Sequence, residues 1–97
     1  MRTYNRGDTV GKRWRFYDET DAPVDPDLIT ITVKAPNGNV IATLSKTDLI
    51  REATGVYKML WNVPEDASAG FWLILVKATR AAGNIVNTET FSFQVTA

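Results

Sequence analysis

Residues 54–78, TGVYKMLWNVPEDASAGFWLILVKA, decide the fold. Tyr57, Met59, Trp61 and Val63 alternate with Val56, Lys58, Leu60 and Asn62. Further on, Trp72, Ile74, Val76 and Ala78 alternate with Phe71, Leu73, Leu75 and Lys77. Successive side chains of a strand point to opposite faces, so this period of two predicts two β-strands, each with one face on a core. The segment between them, 64–70, holds Pro64 and Gly70 among polar residues and reads as the link of a hairpin.

The flanking chain repeats the pattern. In 28–35, Ile29, Ile31 and Val33 point inward, and Thr30, Thr32 and Lys34 outward. Pro36-Asn37-Gly38-Asn39 supplies a hairpin turn, because Asn-Gly accepts the positive φ values such a turn requires, and 40–44 returns as the partner strand. In 9–17, Val10, Trp14 and Phe16 share a face, and Arg13, Arg15 and Tyr17 share the other. Lys12 falls on the apolar side and is expected near the strand's end, with its head in water. Residues 18–27, DETDAPVDPD, form a loop or tight corner. Residues 2–5 read as a short leading strand or an arm, and Arg6-Gly7-Asp8 as a turn. Leu49 and Ile50 add a short strand or a 3₁₀ turn, and 81–84 form a turn. The closing strand, 85–96, sets Phe91, Phe93 and Val95 on one face and Thr90, Ser92 and Gln94 on the other. No segment sustains a 3.6-residue period. The pattern predicts an all-β sandwich of about seven antiparallel strands.

Composition bounds the chemistry. The chain of 97 residues is 44% hydrophobic, enough for a single domain over 1–97 with residues 1–6 as an amino-terminal arm. Eleven basic residues balance eleven acidic ones, so no net charge steers the chain to nucleic acid or to a membrane surface. Cysteine and histidine are both absent. No disulfide or thiolate metal site can form, and the commonest general base and neutral metal ligand are missing. A Ser–Lys dyad from Ser45 and Lys46 fails because adjacent strand residues point apart. The expectation is therefore a non-enzymatic protein without a cofactor. The amino terminus is polar, with no apolar core of a signal peptide, and the longest apolar run, 71–76, has six residues. Synthesis in a cytoplasm without a signal peptide is expected.

Several stretches taken together resemble the small bacterial and phage Ig-like domains related to the macroglobulin repeat. They are Gly7-Asp8-Thr9-Val10, then Asp18-x-x-Asp21-x-Pro23-Val24-Asp25-Pro26-Asp27, then Ile29-Thr30-Ile31-Thr32-Val33-Lys34 and Pro36-Asn37-Gly38. Thr54-Gly55-Val56-Tyr57 and Ala69-Gly70-Phe71-Trp72 complete the set. The resemblance spans nearly the whole chain and rests on core and turn positions. It implies an Ig-like sandwich. For a lone chain of this length it implies a component of a tailed-phage virion, on the capsid as a decoration or at the neck or head–tail connector. The partners it implies are capsid, portal–neck or tail subunits, or further copies of the chain.

The candidate interface is the face of 71–77 that turns from the core. Phe71, Leu73 and Leu75 occupy positions where threonine or serine is usual. With this strand central in its sheet, the same face shows Thr30, Thr32, Thr88, Thr90 and Ser92. An uncharged apolar face of this kind predicts a protein partner, or else a loop or arm of the same chain lying over it. Charge is uneven along the chain. Residues 1–16 hold five basic residues against Asp8, and 17–27 hold five acids and no base. Arg13 and Arg15 with Asp18 and Glu19 are accordingly expected to orient a docked protein.

Other signals are weaker. Arg6-Gly7-Asp8 spells an adhesion tripeptide but falls where a turn is required. The acids of 18–27 could gather around calcium, although they lack EF-hand spacing. Trp14, Trp61 and Trp72 could form a carbohydrate platform, making a carbohydrate- or receptor-binding module the alternative reading. Their strand faces place all three in the core instead.

Overall fold

A computed structural model describes residues 2–80 and 85–96, with side chains throughout apart from those of 85–88. Among the described residues the chain forms eight strands. They are β1 (Arg2–Tyr4), β2 (Thr9–Arg15), β3 (Leu28–Lys34), β4 (Val40–Ser45), β5 (Ile50–Ala53), β6 (Val56–Asn62), β7 (Gly70–Thr79) and β8 (Ile85–Val95). A 3₁₀ turn, Lys46–Asp48, joins β4 to β5. One sheet has the order β1-β8-β7-β3-β4 and the other the order β2-β6-β5. The architecture is an all-β sandwich. Among the described residues no helix is long and apolar enough to cross a membrane.

The expected faces hold. Val10, Trp14 and Phe16 are buried, as are Ile29, Ile31 and Val33, Tyr57, Met59 and Val63, and Trp72, Ile74, Val76 and Ala78. The rings of Trp61 and Trp72 lie 5.9 Å apart across the two sheets, and Phe93 stacks on Trp72 at 6.1 Å. The turn over 36–39 forms as expected, with the Ala35 N–H donating to the Asn39 carbonyl at 2.9 Å and Gly38 at φ +88.

Two details differ from expectation, and one decides between two alternatives. First, β6 and β7 are not a hairpin: β6 pairs with β2 and β5, whereas β7 pairs with β3 and β8. Both strands carry heavy apolar faces, and placing them in opposite sheets lets Trp61 meet Trp72 instead of lining one side of a single sheet. Residues 64–69 therefore arch between the sheets. The arch is fixed by the Trp72 indole N–H donating to the Ser68 carbonyl at 2.9 Å and by the Arg6 guanidinium donating to the Ala67 carbonyl at 2.7 Å.

Second, of the leading strand and the arm that residues 2–5 allow, the chain forms the strand. β1 pairs in parallel with β8, Arg2 opposite Phe93 and Tyr4 opposite Val95, and the buried Tyr4 ring packs edge-on against Phe93 at 5.6 Å. Third, Lys12 sits in the middle of β2, opposite Met59. Its ammonium lies 4.9 Å from the Phe91 ring centroid and 5.3 Å from that of Trp14, so aromatic faces supplement water around the charge. The 81–84 turn expected from the sequence lies outside the described residues.

The acidic loop is tied down rather than merely solvated. One Asp25 carboxylate oxygen accepts from the Gly55 N–H at 2.7 Å and the Tyr57 hydroxyl at 3.2 Å, and the other accepts from Arg51 at 2.9 Å. The Arg51 bond, then the Gly55 N–H, hold the Asp25 carboxyl down at about 2. Burial first, and the Asp25 charge second, push the Tyr57 phenol up.

Candidate docking face

The register of the five-stranded sheet assembles the expected interface. Leu75 has Thr32 beside it on β3 and Thr90 on β8, with Thr43 of β4 beyond Thr32. Leu73 lies between Lys34 and Ser92, and Phe71 stands opposite Gln94. Lys77 lies opposite Thr30 and Thr88, and the Thr88 side chain is outside the described residues. Phe71, Leu73, Leu75, Thr30, Thr32 and Thr90 thus share one face.

Exposure follows this placement. Phe71 is 59% exposed and Leu73 39%, while their neighbours Trp72 and Ile74 on the same strand are buried. Leu75 is half-buried, flanked by β-branched threonines on both sides. Val40 adds exposed apolar surface opposite Lys34. Among the described residues nothing lies over the leucines. β1, the segment that could have covered them, is at the sheet's edge.

The orienting charges fall elsewhere than expected. Arg13 and Arg15 rise from the outer side of the three-stranded sheet, opposite the leucine face, because Val10 and Trp14 on the same strand turn inward. Arg13 is engaged by Glu52 in a two-bond ion pair, and this contact holds the Glu52 carboxyl below its usual range. Glu19 meets Arg80 at 3.3 Å. Asp18 organises its own loop, accepting from the Thr20 hydroxyl at 2.7 Å, the Thr20 N–H at 2.8 Å and the Ala22 N–H at 3.1 Å. These bonds, the Thr20 hydroxyl first, lower its carboxyl. The charges that do border the leucine face are Lys34 and Lys77. The expectation of an uncharged face is thereby corrected: the alternation that sets Thr30, Thr32, Leu73 and Leu75 outward sets Lys34 and Lys77 beside them.

The remaining signals resolve locally. Arg6-Gly7-Asp8 is a turn: Gly7 has φ +84, and the Asp8 carboxylate accepts from the Asn5 N–H at 2.8 Å. Trp14 and Trp72 are buried and Trp61 is half-buried against Trp72, so the three indoles form no exposed platform. No group of three or more acidic side chains among the described residues is close enough to hold a metal ion. Ser45 bonds to Asp48 and Thr47, whereas the Lys46 ammonium donates to the Pro26 carbonyl at 2.8 Å.

Fold and site define the chain as a β-sandwich with one open, apolar, lysine-bordered sheet face. Its sequence matches no family model, and no curated protein is significantly similar to it.

Proposed function

We propose that this protein is a non-enzymatic docking protein that works by burying the outer face of its five-stranded sheet against another protein. The observation that carries the reading is the alternation on β7, where exposed Phe71 and Leu73 stand beside fully buried Trp72 and Ile74 at the centre of a sheet. Strands usually place polar groups at such outward positions, and uncovered apolar patches mark contact surfaces. Fully burying an exposed leucine contributes about 1.5–3 kcal/mol, and covering Leu73, 39% exposed, and the half-buried Leu75 contributes less than half of that each, before the cost of ordering both partners. Lys34 and Lys77 favour a partner with acidic groups around an apolar centre. The resemblance to small phage and bacterial Ig-like domains directs the proposal to a bacteriophage particle, with a capsid, portal–neck or tail subunit as the partner.

The test is Leu73→Asp together with Leu75→Asp. The isolated variant keeps its far-ultraviolet circular dichroism and cooperative unfolding, and it fails to join particles. A folded variant that still joins particles overturns the reading. Leu73→Asp alone, at the more exposed of the two leucines, gives the same answer if the double variant unfolds.

A further inference from the structure

We propose a second interaction surface: the open edge of β2, which accepts an extended acidic segment of a partner protein as an added strand. The surface belongs to the three-stranded sheet, so the inference does not rest on the docking face described above.

The backbone sets the geometry. At one end of β2 the Val63 N–H donates to the Asp8 carbonyl at 2.8 Å, and at the other the Phe16 N–H donates to the Gly55 carbonyl at 2.8 Å. The register between these ends is continuous, from Thr9 opposite Asn62 to Arg15 opposite Val56. Antiparallel strands alternate residues that bond to a neighbour with residues that face away from it. Val10, Lys12 and Trp14 therefore bond to β6, and the N–H and C=O groups of Thr9, Gly11, Arg13 and Arg15 point to the open side. No described group pairs with them. The other sheet edge formed by β5 has four residues and a shifted register, and β4 is bulged where it meets β3. Neither carries the same unbroken row.

Space and charge fit the same occupant. A cleft of about 400 Å³, lined by Arg2, Tyr4, Gly11, Lys12, Arg13 and Lys58 and by no acid, shares Lys12 and Arg13 with a second of about 490 Å³, where Arg15 stands among Asp18, Asp21 and Glu89. Side chains on one face of an added strand would stand beside Arg15 and beside Arg13, whose charge Glu52 already offsets, with Lys58 one strand further on, so three cations face one acid. Those on its other face would point between the sheets, towards Lys12 and the rings of Tyr4 and Phe91. The complement is a strand alternating acidic with apolar residues. A second copy of β2 is disfavoured: antiparallel pairing over the whole strand sets Arg13 opposite Gly11 and Arg15 opposite Thr9 of the copy, so neither arginine gains an opposite charge. Addition of a strand to a free edge uses main-chain bonds for affinity and side chains for selection.

The probe is a blocked peptide of Glu-Val repeats, with a Lys-Val repeat peptide and oligothymidylate as comparisons. Amide hydrogen exchange is followed residue by residue. At a peptide concentration about ten times its Kd, the amides of Thr9, Gly11, Arg13 and Arg15 slow about tenfold, because only the free form exchanges there. Those of Val10, Lys12 and Trp14, bonded to β6, are protected before any peptide is added and mark the alternation along β2. Gly11→Pro deletes one outward donor while sparing the β6 ladder, and it abolishes the protection. Should that variant not fold, Arg15→Glu with Lys58→Glu transfers the preference to the Lys-Val peptide. The proposal is overturned if the Glu-Val peptide leaves the four amides unprotected. It is equally overturned if the Lys-Val peptide or the oligonucleotide protects them as well.

Discussion

Leu73 on β7 stands directly opposite Lys34 on β3, one strand spacing away, so the apolar centre of the open sheet face has a cation at its border. On the same strand Ile74 is fully buried. Leu73→Ala is accordingly expected to change stability by no more than about 0.5 kcal/mol. Ile74→Ala is expected to cost about 2–5 kcal/mol through lost burial and a residual cavity. Urea unfolding of the two variants checks the register, because a one-residue slip would interchange the two results.

The bordering lysines make a separate prediction. Charge at the margin of an interface acts mainly on association rate and its salt dependence. Lys34→Glu with Lys77→Glu is expected to slow association with particles, leave the fold intact, and reverse the effect of added salt. Stopped-flow association at two ionic strengths reads both quantities.

Asp25 gives the fold an acid-sensitive joint. Its carboxyl is held at about 2 by Arg51 and the Gly55 N–H, against a usual 3.8. A lowered folded-state value means that the unfolded chain binds the proton more readily, so the contribution is complete above about pH 4 and fades as pH falls towards 2. Thermal unfolding between pH 5 and pH 2 is expected to show this loss, which Asp25→Asn removes in part; Asp18 and Glu52, lowered in the same direction, supply the remaining slope.

Two glycines separate backbone conformation from crowding. Gly38 and Gly55 both have positive φ, +88 and +74. A Cβ on Gly38 would meet nothing within 4 Å, whereas one on Gly55 would lie 2.7 Å from the Phe16 carbonyl oxygen and 3.0 Å from the Val24 backbone. Gly38→Ala is expected to cost about 1 kcal/mol for the left-handed conformation alone. Gly55→Ala adds a clash with fixed backbone and is expected to cost about 3 kcal/mol or more. Denaturant midpoints of the two variants test the contrast.

Much of this molecule is legible in its sequence because a period of two carries the information. Alternation in 28–34, 56–63 and 71–78 identifies both the core and the outward leucines, since side-chain direction follows strand geometry alone. What alternation cannot report is which strands are neighbours. The partners of β6 and β7 depend on contacts distant in sequence, such as Trp61 against Trp72 across the core. The same limit explains the misplaced orienting charges. Arg13 and Arg15 are outward residues, as read, but outward from the other sheet. Lys12 seemed unfit for mid-strand because its aromatic surroundings come partly from Phe91, far along the chain.

The most direct test of the central claim is a size and mass measurement of the purified protein, alone and mixed with particles lacking it. The account predicts a monomer that binds such particles at a fixed stoichiometry, with binding lost in the Leu73→Asp, Leu75→Asp variant. A self-associated protein that ignores the particles, its oligomers dispersed by the same substitutions, would contradict it and assign the apolar face to contacts between copies of the chain.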